Sequence, residues 1–187
     1  GHAPGIIHAC RMVALKRAIF FSTTGIFTRL NPESKQVRLD AEAAIQSSGL
    51  DYTILRPTMI FGAKGDRNIH RLIRFIDRAP IFVVPGTGAN LLQPVYVKDL
   101  AKAVTRVLAT NNTIDRTYTV SGRDVVSFND LLRHLIAALQ RRRLIMHVPL
   151  WAGTIPLGLL NRCGVRLPVK VEQLLRLQED KVFPSDE

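Results

Sequence analysis

The feature that most constrains the fold is the stretch of residues 50–62, LDYTILRPTMIFG. Residues 52–55 form a short apolar, β-branched run between turn signals, which predicts a buried strand. Pro57 lacks a backbone N–H and biases Arg56 toward extended geometry, so we expect the strand to end there. Ligands bind beyond the carboxyl ends of the strands in an open α/β sheet. The loop of residues 57–62 is therefore the first candidate for a functional segment.

Similar runs alternate with amphipathic segments along the rest of the chain. Helical spacing extends over residues 4–16, 33–47, 67–78, 98–109 and 128–139, and strand-like runs over residues 18–21, 81–84, 93–97, 118–120 and 144–148. Asp66 and Ser127 are placed to cap the third and fifth helices, and Leu100 and Leu108 are expected to face inward. The alternation predicts βαβ units and a parallel sheet, which is an α/β fold.

One part of a nucleotide-binding sheet is missing from the sequence. Such a sheet begins with a strand, a glycine-rich turn and a helix, and no G-x-G-x-x-G pattern occurs here. The first predicted element is instead a helix. Either the fold is unusual or its N-terminal half is absent from this chain.

Composition and charge narrow the class of protein. The 187 residues are 47% apolar and 22% charged, as in an ordinary soluble globular domain. The net charge of +11 would suit phosphates, nucleic acid or an anionic membrane. Basic residues are spread along the chain and aromatic residues make up 6%, so no aromatic platform interleaves with a basic stripe. We therefore predict that nucleic acid is not a partner.

Other features bear on location and metal binding. The two cysteines, Cys10 and Cys163, form no disulfide framework, which favours a reducing, cytoplasmic compartment. The five histidines show no metal-ligand spacing, so no metal is predicted. The most apolar window, residues 144–160, contains two prolines and is shorter than a membrane-spanning helix. We expect it to pack in a core, and a peripheral membrane contact helped by residues 141–143 is the alternative.

Three pieces of sequence carry a family resemblance. They are FFSTTGIF at residues 20–27, SGLDYTILRPTMIFG at residues 48–62 and VPGTGANLLQPVYVKDLAKAV at residues 84–104. In this order they resemble the NAD(P)-dependent epimerase/dehydratase family, the extended and atypical short-chain dehydrogenases, and this chain resembles its C-terminal two thirds. The resemblance implies a Rossmann-like parallel sheet with flanking helices, and NAD or NADP as cofactor with a site that is incomplete in this chain. Residues 1–62 would be what remains of the cofactor-binding domain, and residues 63–187 the C-terminal part with a small substrate region.

The resemblance also implies a set of site residues. Ser22 and Thr23 would line the nicotinamide side of the cofactor crevice, and Thr24 would orient the substrate through its hydroxyl. Alternatively, this segment is only the polar end of a strand, and its hydroxyls form hydrogen bonds with nearby backbone groups. The loop after the second strand would present its backbone to the nicotinamide amide, through Pro57, Thr58, Met59 and Ile60. Its alternative is a structural X-Pro turn.

The family's acid/base pair is a tyrosine followed four residues later by a lysine, because a nearby cation stabilises the phenolate. The tyrosines of this chain are Tyr52, Tyr96 and Tyr118, so the helix of residues 33–47 has none. Two registers remain open. One puts Ser34 at the tyrosine position and Arg38 at the lysine position. The other puts Asn31 and Lys35 there. Either cation could hold a ribose or a phosphate by its charge.

The substrate side is implied by the third piece of sequence. Gln93 stands where a sugar-nucleotide epimerase often carries a phosphate-binding arginine, and Tyr96 lies in the following V-Y-V segment. We expect an epimerase, dehydratase or reductase acting on a sugar nucleotide or a similar small carbonyl or hydroxyl substrate. The alternative is an inactive NAD(P)-binding redox sensor or accessory subunit, of the NmrA-like or respiratory complex I kind, which the missing tyrosine favours. An incomplete sheet leaves an open edge, which would favour a homo-oligomer.

Overall fold

The computed structural model describes residues 2–30, 32–63, 66, 68–152, 175 and 178–184. Its helices are α1 (Ala3–Met12), α2 (Glu33–Gln46), α3 (Ile69–Arg78), α4 (Val97–Leu108) and α5 (Phe128–Ala138). Its strands are β1 (Arg17–Phe21), β2 (Asp51–Pro57), β3 (Ile60–Phe61), β4 (Ile81–Pro85), β5 (Leu91–Leu92), β6 (Val95–Tyr96), β7 (Arg116–Val120), β8 (Val126–Ser127) and β9 (Leu144–Val148). Two short 3₁₀ turns span Thr24–Phe27 and Asn111–Thr113.

The chain forms two compact units that interleave along the sequence. The first unit consists of Gly1–Gly62, Pro94–Arg123 and Phe183–Glu187, and the second of Ala63–Gln93 and Asp124–Val182. The sequence predicted one division, between residues 62 and 63. The first boundary between the units lies there, and the chain then returns to the first unit at residue 94.

A parallel sheet in the order β1-β2-β7 forms the centre of the first unit. Phe21 pairs in register with Leu55, and Pro57 pairs with Val120. Because side chains alternate across a strand, Ile54 is directed to one face of the sheet, and Thr53 and Leu55 to the other. The parallel sheet with flanking helices confirms the predicted α/β, Rossmann-like fold class.

One face of this sheet packs against α1 and α2. The buried cluster consists of Ile7, Ile45 and Ile54, and Phe20, Ala44 and Tyr52 pack around it. Ile54 lies in the central strand and is fully buried, with 0% of its surface exposed. Burial of one isoleucine side chain contributes about 1.5–3 kcal/mol to folding. This cluster therefore fixes α2, which carries candidate site residues, against the sheet.

On the opposite face, Arg17 joins four elements through its guanidinium. Nη1 donates to the Asp51 carbonyl at 2.9 Å, and Nη2 lies 2.8 Å from Thr53 Oγ1, 2.9 Å from Thr113 Oγ1 and 3.3 Å from the Val107 carbonyl. Val107 is in the last turn of α4, where a cation interacts favourably with the helix dipole. Arg17 thus holds the end of α4 and the following turn against β1 and β2.

Among its described residues, the second unit contains two small sheets and the helices α3 and α5. Strand β4 pairs in parallel with β9, and β5 pairs in an antiparallel manner with β8. Asp66 Oδ1 accepts a hydrogen bond from the His70 N–H at 3.1 Å, and Ser127 Oγ accepts one from the Asp130 N–H at 3.0 Å. The Ser127 contact confirms the predicted cap of α5. The predicted cap of the third helix was wrong, because α3 begins at Ile69 with Asn68 as its N-cap, and Asp66 lies two residues before that position.

Several predicted boundaries were wrong. Helix α1 ends at Met12 rather than at residue 16, because the chain turns at Ala14, which has a φ of 53°. The predicted inward-facing residue Leu108 is 54% exposed. Residues 93–97 do not form one extended run, since β6 covers Val95–Tyr96 and α4 begins at Val97.

Strand β2 ends at Pro57, as the sequence predicted, although the apolar run that indicates it covers only residues 52–55. The Leu55 carbonyl accepts from the Ser22 N–H at 2.8 Å, and the Thr58 N–H donates to the Val120 carbonyl at 3.0 Å. Backbone groups alternate in direction along a strand, so the nitrogen of Pro57 points toward the side of β1. Strand β1 ends at Phe21, so the missing N–H of Pro57 leaves no ladder bond unmade.

The core of the first unit gives a test of this packing. Ile54→Ala should lower the free energy of unfolding by about 3 kcal/mol, because it deletes a fully buried side chain and leaves a cavity. Urea unfolding followed by circular dichroism measures the difference. Ile6→Ala is the matched control, since Ile6 on α1 is 49% exposed, and it should cost less than about 1 kcal/mol. Equal losses in the two variants would contradict the assignment of this core.

Candidate functional site

The carboxyl ends of β1 and β2 lie side by side, because the two strands are parallel neighbours. The Ser22 N–H donates to the Leu55 carbonyl at 2.8 Å, which fixes the segment of residues 22–24 beside the end of β2. The hydroxyl segment and the proline that follows the second strand were predicted from separate pieces of sequence. The structure brings them together at one edge of the sheet.

The three hydroxyls of this segment have different environments. Thr23 Oγ1 accepts from the Gly25 N–H at 3.1 Å and so caps the following 3₁₀ turn. Thr24 is 8% exposed, and its hydroxyl donates to the Pro57 carbonyl over a long 3.4 Å. Ser22 Oγ is buried and has no hydrogen-bond partner among the described residues. Local backbone contacts therefore account for Thr23 and Thr24, whereas the Ser22 hydroxyl is left available.

Ser22 faces a cavity of about 300 Å³ between the end of β1 and α2. The cavity is lined by side chains from two strands and one helix: Phe20, Phe21, Ser22, Thr23, Arg38, Ala41, Glu42, Ile45 and Ile54. The four α2 residues follow a spacing of three or four, so they share one helix face. Ligand pockets commonly combine an apolar wall with a few polar groups in this way.

The two cations that the sequence left open on α2 have different surroundings, and the choice of register stays a prediction. Arg38 lines the cavity. Lys35 does not, and its Nζ donates to the Thr28 carbonyl at 2.8 Å. Ser34 is exposed and is absent from the cavity wall, and Asn31 lies outside the described residues. Arg38 is therefore the cation that α2 presents to the cavity.

A largely buried ion pair joins Glu42, on the cavity wall, to Arg56. The Glu42 side chain is 6% exposed and that of Arg56 is 21% exposed. Arg56 Nε lies 3.1 and 3.2 Å from the two carboxylate oxygens of Glu42, and Nη2 also donates to Oε2. The guanidinium lies over the Phe27 ring, 5.4 Å from its centroid, in a favourable cation–π position. Sequence reasoning assigned no role to this pair, because Glu42 and Arg56 stand in separate elements.

The loop that follows β2 is held largely by its own backbone. Thr58 N–H is bonded to Val120, and the Met59 carbonyl accepts from the Val95 N–H at 2.9 Å. Thr58 and Pro57 are buried, and Met59 and Ile60 are half-buried. Two of the backbone groups that were predicted to face a cofactor are thus used within the fold. The role of the loop in cofactor binding stays a prediction.

The two predicted substrate residues belong to different units. Gln93 is in the second unit and Tyr96 in the first. The Tyr96 ring lies 5.4 Å from that of Phe61. It also covers Gly62, whose φ of 95° suits glycine and where a Cβ would collide with the ring. Tyr96 thus has a packing role, and its contact with a substrate stays a prediction.

Among the described residues, no group of three histidine, cysteine or acidic side chains is placed to hold a metal ion. No helix in the described part of the chain has the length and apolar character needed to cross a membrane.

Comparison with known proteins gives a family match and several partial relatives. The model of the NAD dependent epimerase/dehydratase family matches residues 5–121. The chain is 27% identical over 133 residues to chloroplast stem-loop binding protein of 41 kDa b of Arabidopsis thaliana, covering 64% of this chain and 35% of that protein. It is 30% identical over 92 residues to NADH dehydrogenase [ubiquinone] 1 alpha subcomplex subunit 9, mitochondrial, of the same plant, covering 49% of this chain and 23% of that protein.

A solved structure supports the fold. UDP-glucose 4-epimerase of Thermus thermophilus, in complex with NAD, superposes with a TM-score of 0.64 over 94% of this chain and 67% of that chain, at 20% identity. The chain spans about a third or less of the length of the two plant relatives. The family predicted from the sequence is confirmed, and the cofactor class with it, since the family is described as NAD dependent.

The ion pair on the cavity wall gives a second test. Glu42→Ala should lower the free energy of unfolding by about 3 kcal/mol, because it leaves the Arg56 charge half-buried without its partner. Urea unfolding measures the loss. Asp40→Ala is the control on the same helix, since Asp40 is exposed, and it should change stability by less than about 0.5 kcal/mol. A loss in Glu42→Ala no larger than in the control would show that the pair does not hold α2 on the sheet.

Proposed function

The chain belongs to the NAD dependent epimerase/dehydratase family, and from this premise we propose that it forms the substrate edge of an NAD(P)-dependent enzyme. We propose a sugar nucleotide, or a similar small carbonyl or hydroxyl compound, as the substrate. The single observation that carries the proposal is the Ser22 hydroxyl, which is buried without a partner beside the end of β2. Cytoplasmic location, a homo-oligomer and a peripheral membrane contact stay proposals from the sequence.

The residues present suit the nicotinamide end of the cofactor. A cavity of about 300 Å³ holds one small group rather than a whole dinucleotide. Its position beyond the carboxyl ends of two parallel strands is the usual place for such a ligand. When bound, the nicotinamide would accept or return a hydride. Ser22 and Thr23 would line this end of the cofactor, and the Pro57 turn would border it.

Ser22 and Arg38 supply hydrogen bonds rather than acid/base groups, and the Glu42 carboxylate of the cavity lining is already paired with Arg56. A serine hydroxyl does not ionise near neutral pH, and an arginine remains protonated. Ser22 Oγ would donate to the substrate oxygen on which charge develops, and a preorganised donor of this kind lowers the barrier. Helix α2 contains no tyrosine, so the proton would pass to water or to a group beyond this cavity wall.

A second candidate function follows from that missing tyrosine. The 30% identical plant relative is named as a subunit of NADH dehydrogenase. A chain that keeps the hydroxyl segment but lacks the phenol would suit a protein that binds cofactor without turnover. The stem-loop binding named for the other plant relative is not extended to this chain, since its aromatic content is 6% and its basic residues are spread.

Substitution of the hydroxyls separates these proposals. In the full-length protein, Ser22→Ala should reduce kcat about 100-fold with UDP-glucose or a related sugar nucleotide, because it removes a donor to the developing charge. Cofactor affinity should change less than about threefold, since the loss acts mainly in the transition state. Discontinuous assays of product formation measure kcat. Calorimetric titration with NAD and NADP measures cofactor affinity.

Thr24 provides the matched comparison, because the sequence alone favoured it as the orienting group. Thr24→Ser keeps a hydroxyl near Pro57, and Thr24→Ala removes it. If Thr24→Ala lowers kcat as strongly as Ser22→Ala while Thr24→Ser does not, both hydroxyls orient the substrate. Robust turnover that survives Ser22→Ala would rule out its assigned role. Cofactor binding without turnover of any sugar nucleotide would favour the accessory protein.

A further inference from the structure

The cavity between β1 and α2 has an excess of hydrogen-bond donors. Ser22 Oγ is buried there without a described partner. The Arg38 side chain lines the same cavity and is half-buried. No described residue accepts a hydrogen bond from its guanidinium, although that group carries five N–H donors. Arg38 and Ser22 therefore both line this small space, and each has unused hydrogen-bond donors.

The remaining charges of the cavity wall balance each other. Glu42 is the acidic residue of the lining, and both of its carboxylate oxygens already accept hydrogen bonds from Arg56. The Glu42–Arg56 pair therefore adds almost no net charge to the cavity. Arg38 is thus left as an unbalanced positive charge, and a cation of this kind attracts an anionic group.

We propose that this cavity is a subsite for an oxyanion, a carboxylate or a phosphate, held by Arg38 and Ser22. Assigning the oxyanion to a substrate or a cofactor rests on the proposed function. The binding of an oxyanion in the cavity does not depend on it. A planar guanidinium matches the two oxygens of a carboxylate or a phosphate, and the serine hydroxyl can donate a further bond. Because arginine stays protonated, Arg38 recognises the anion and transfers no proton.

Ligand-observed NMR on the full chain tests the subsite with three small probes. D-glucuronate and inorganic phosphate carry the proposed group, and D-glucose is the neutral counterpart of glucuronate. We expect saturable binding of one or both anions in the millimolar range and none of glucose. Arg38→Gln should weaken anion binding at least about tenfold, because the charge and the fork of donors are lost. Ser22→Ala should weaken it about threefold, the scale of one hydrogen bond.

The control is Arg116→Gln, because Arg116 on β7 is exposed and is absent from the cavity wall. It should leave anion binding within about twofold of the unsubstituted chain, and circular dichroism shows whether each variant is folded.

Arg38-dependent binding of glucuronate assigns a substrate carboxylate to the subsite. Binding of phosphate alone, with the same dependence, assigns a phosphate group. Absence of saturable binding, or binding unchanged in a folded Arg38→Gln chain, would overturn the proposal. The NMR experiment does not measure turnover, so a lack of Arg38-dependent anion binding would not contradict the proposed function.

Discussion

The arrangement of the candidate site depends on the ion pair between Glu42 and Arg56. It joins the middle of α2 to the end of β2, and each partner is largely removed from water. Two charges in such surroundings tolerate little displacement, because the cost of desolvation is offset only while the hydrogen bonds are kept. The pair therefore sets the rotation of α2 about its own axis. Arg38 stands four residues before Glu42, so the same rotation directs it to the cavity beside Ser22.

Much of this fold could be predicted because its signals are local. The apolar runs of β1 and β2, the spacing of α2 and the cap at Ser127 can each be recognised within a few residues. The candidate site was harder to predict from the sequence. Ser22, Thr23 and Thr24 look alike in the sequence, and their differences arise from Gly25, from Pro57 across the sheet and from a cavity on α2. The choice between Lys35 and Arg38 likewise needed the Thr28 carbonyl, whose position depends on the turn after β1.

Family membership and the chain's own residues point to different parts of catalysis. The hydroxyl segment and the end of β2 meet as the family pattern implies, so groups that can position a substrate are in place. The phenol that would move a proton is missing from α2, and the cation nearest the cavity is an arginine. Positioning and proton transfer are separate contributions to a rate. This chain retains groups suited to the first, while the carboxylate in the described cavity wall, that of Glu42, is already paired with Arg56.

The interleaving of the two units has a consequence for how the molecule can be taken apart. The chain passes between the units after residues 62, 93, 123 and 182. A single proteolytic cut at any of these crossings leaves pieces of at least one unit on both fragments. Neither unit can then be released by one cleavage, nor deleted or exchanged as one contiguous gene segment. Shuffling of whole domains is closed to this architecture, and insertions within loops are the simpler route by which such a chain can acquire new specificity.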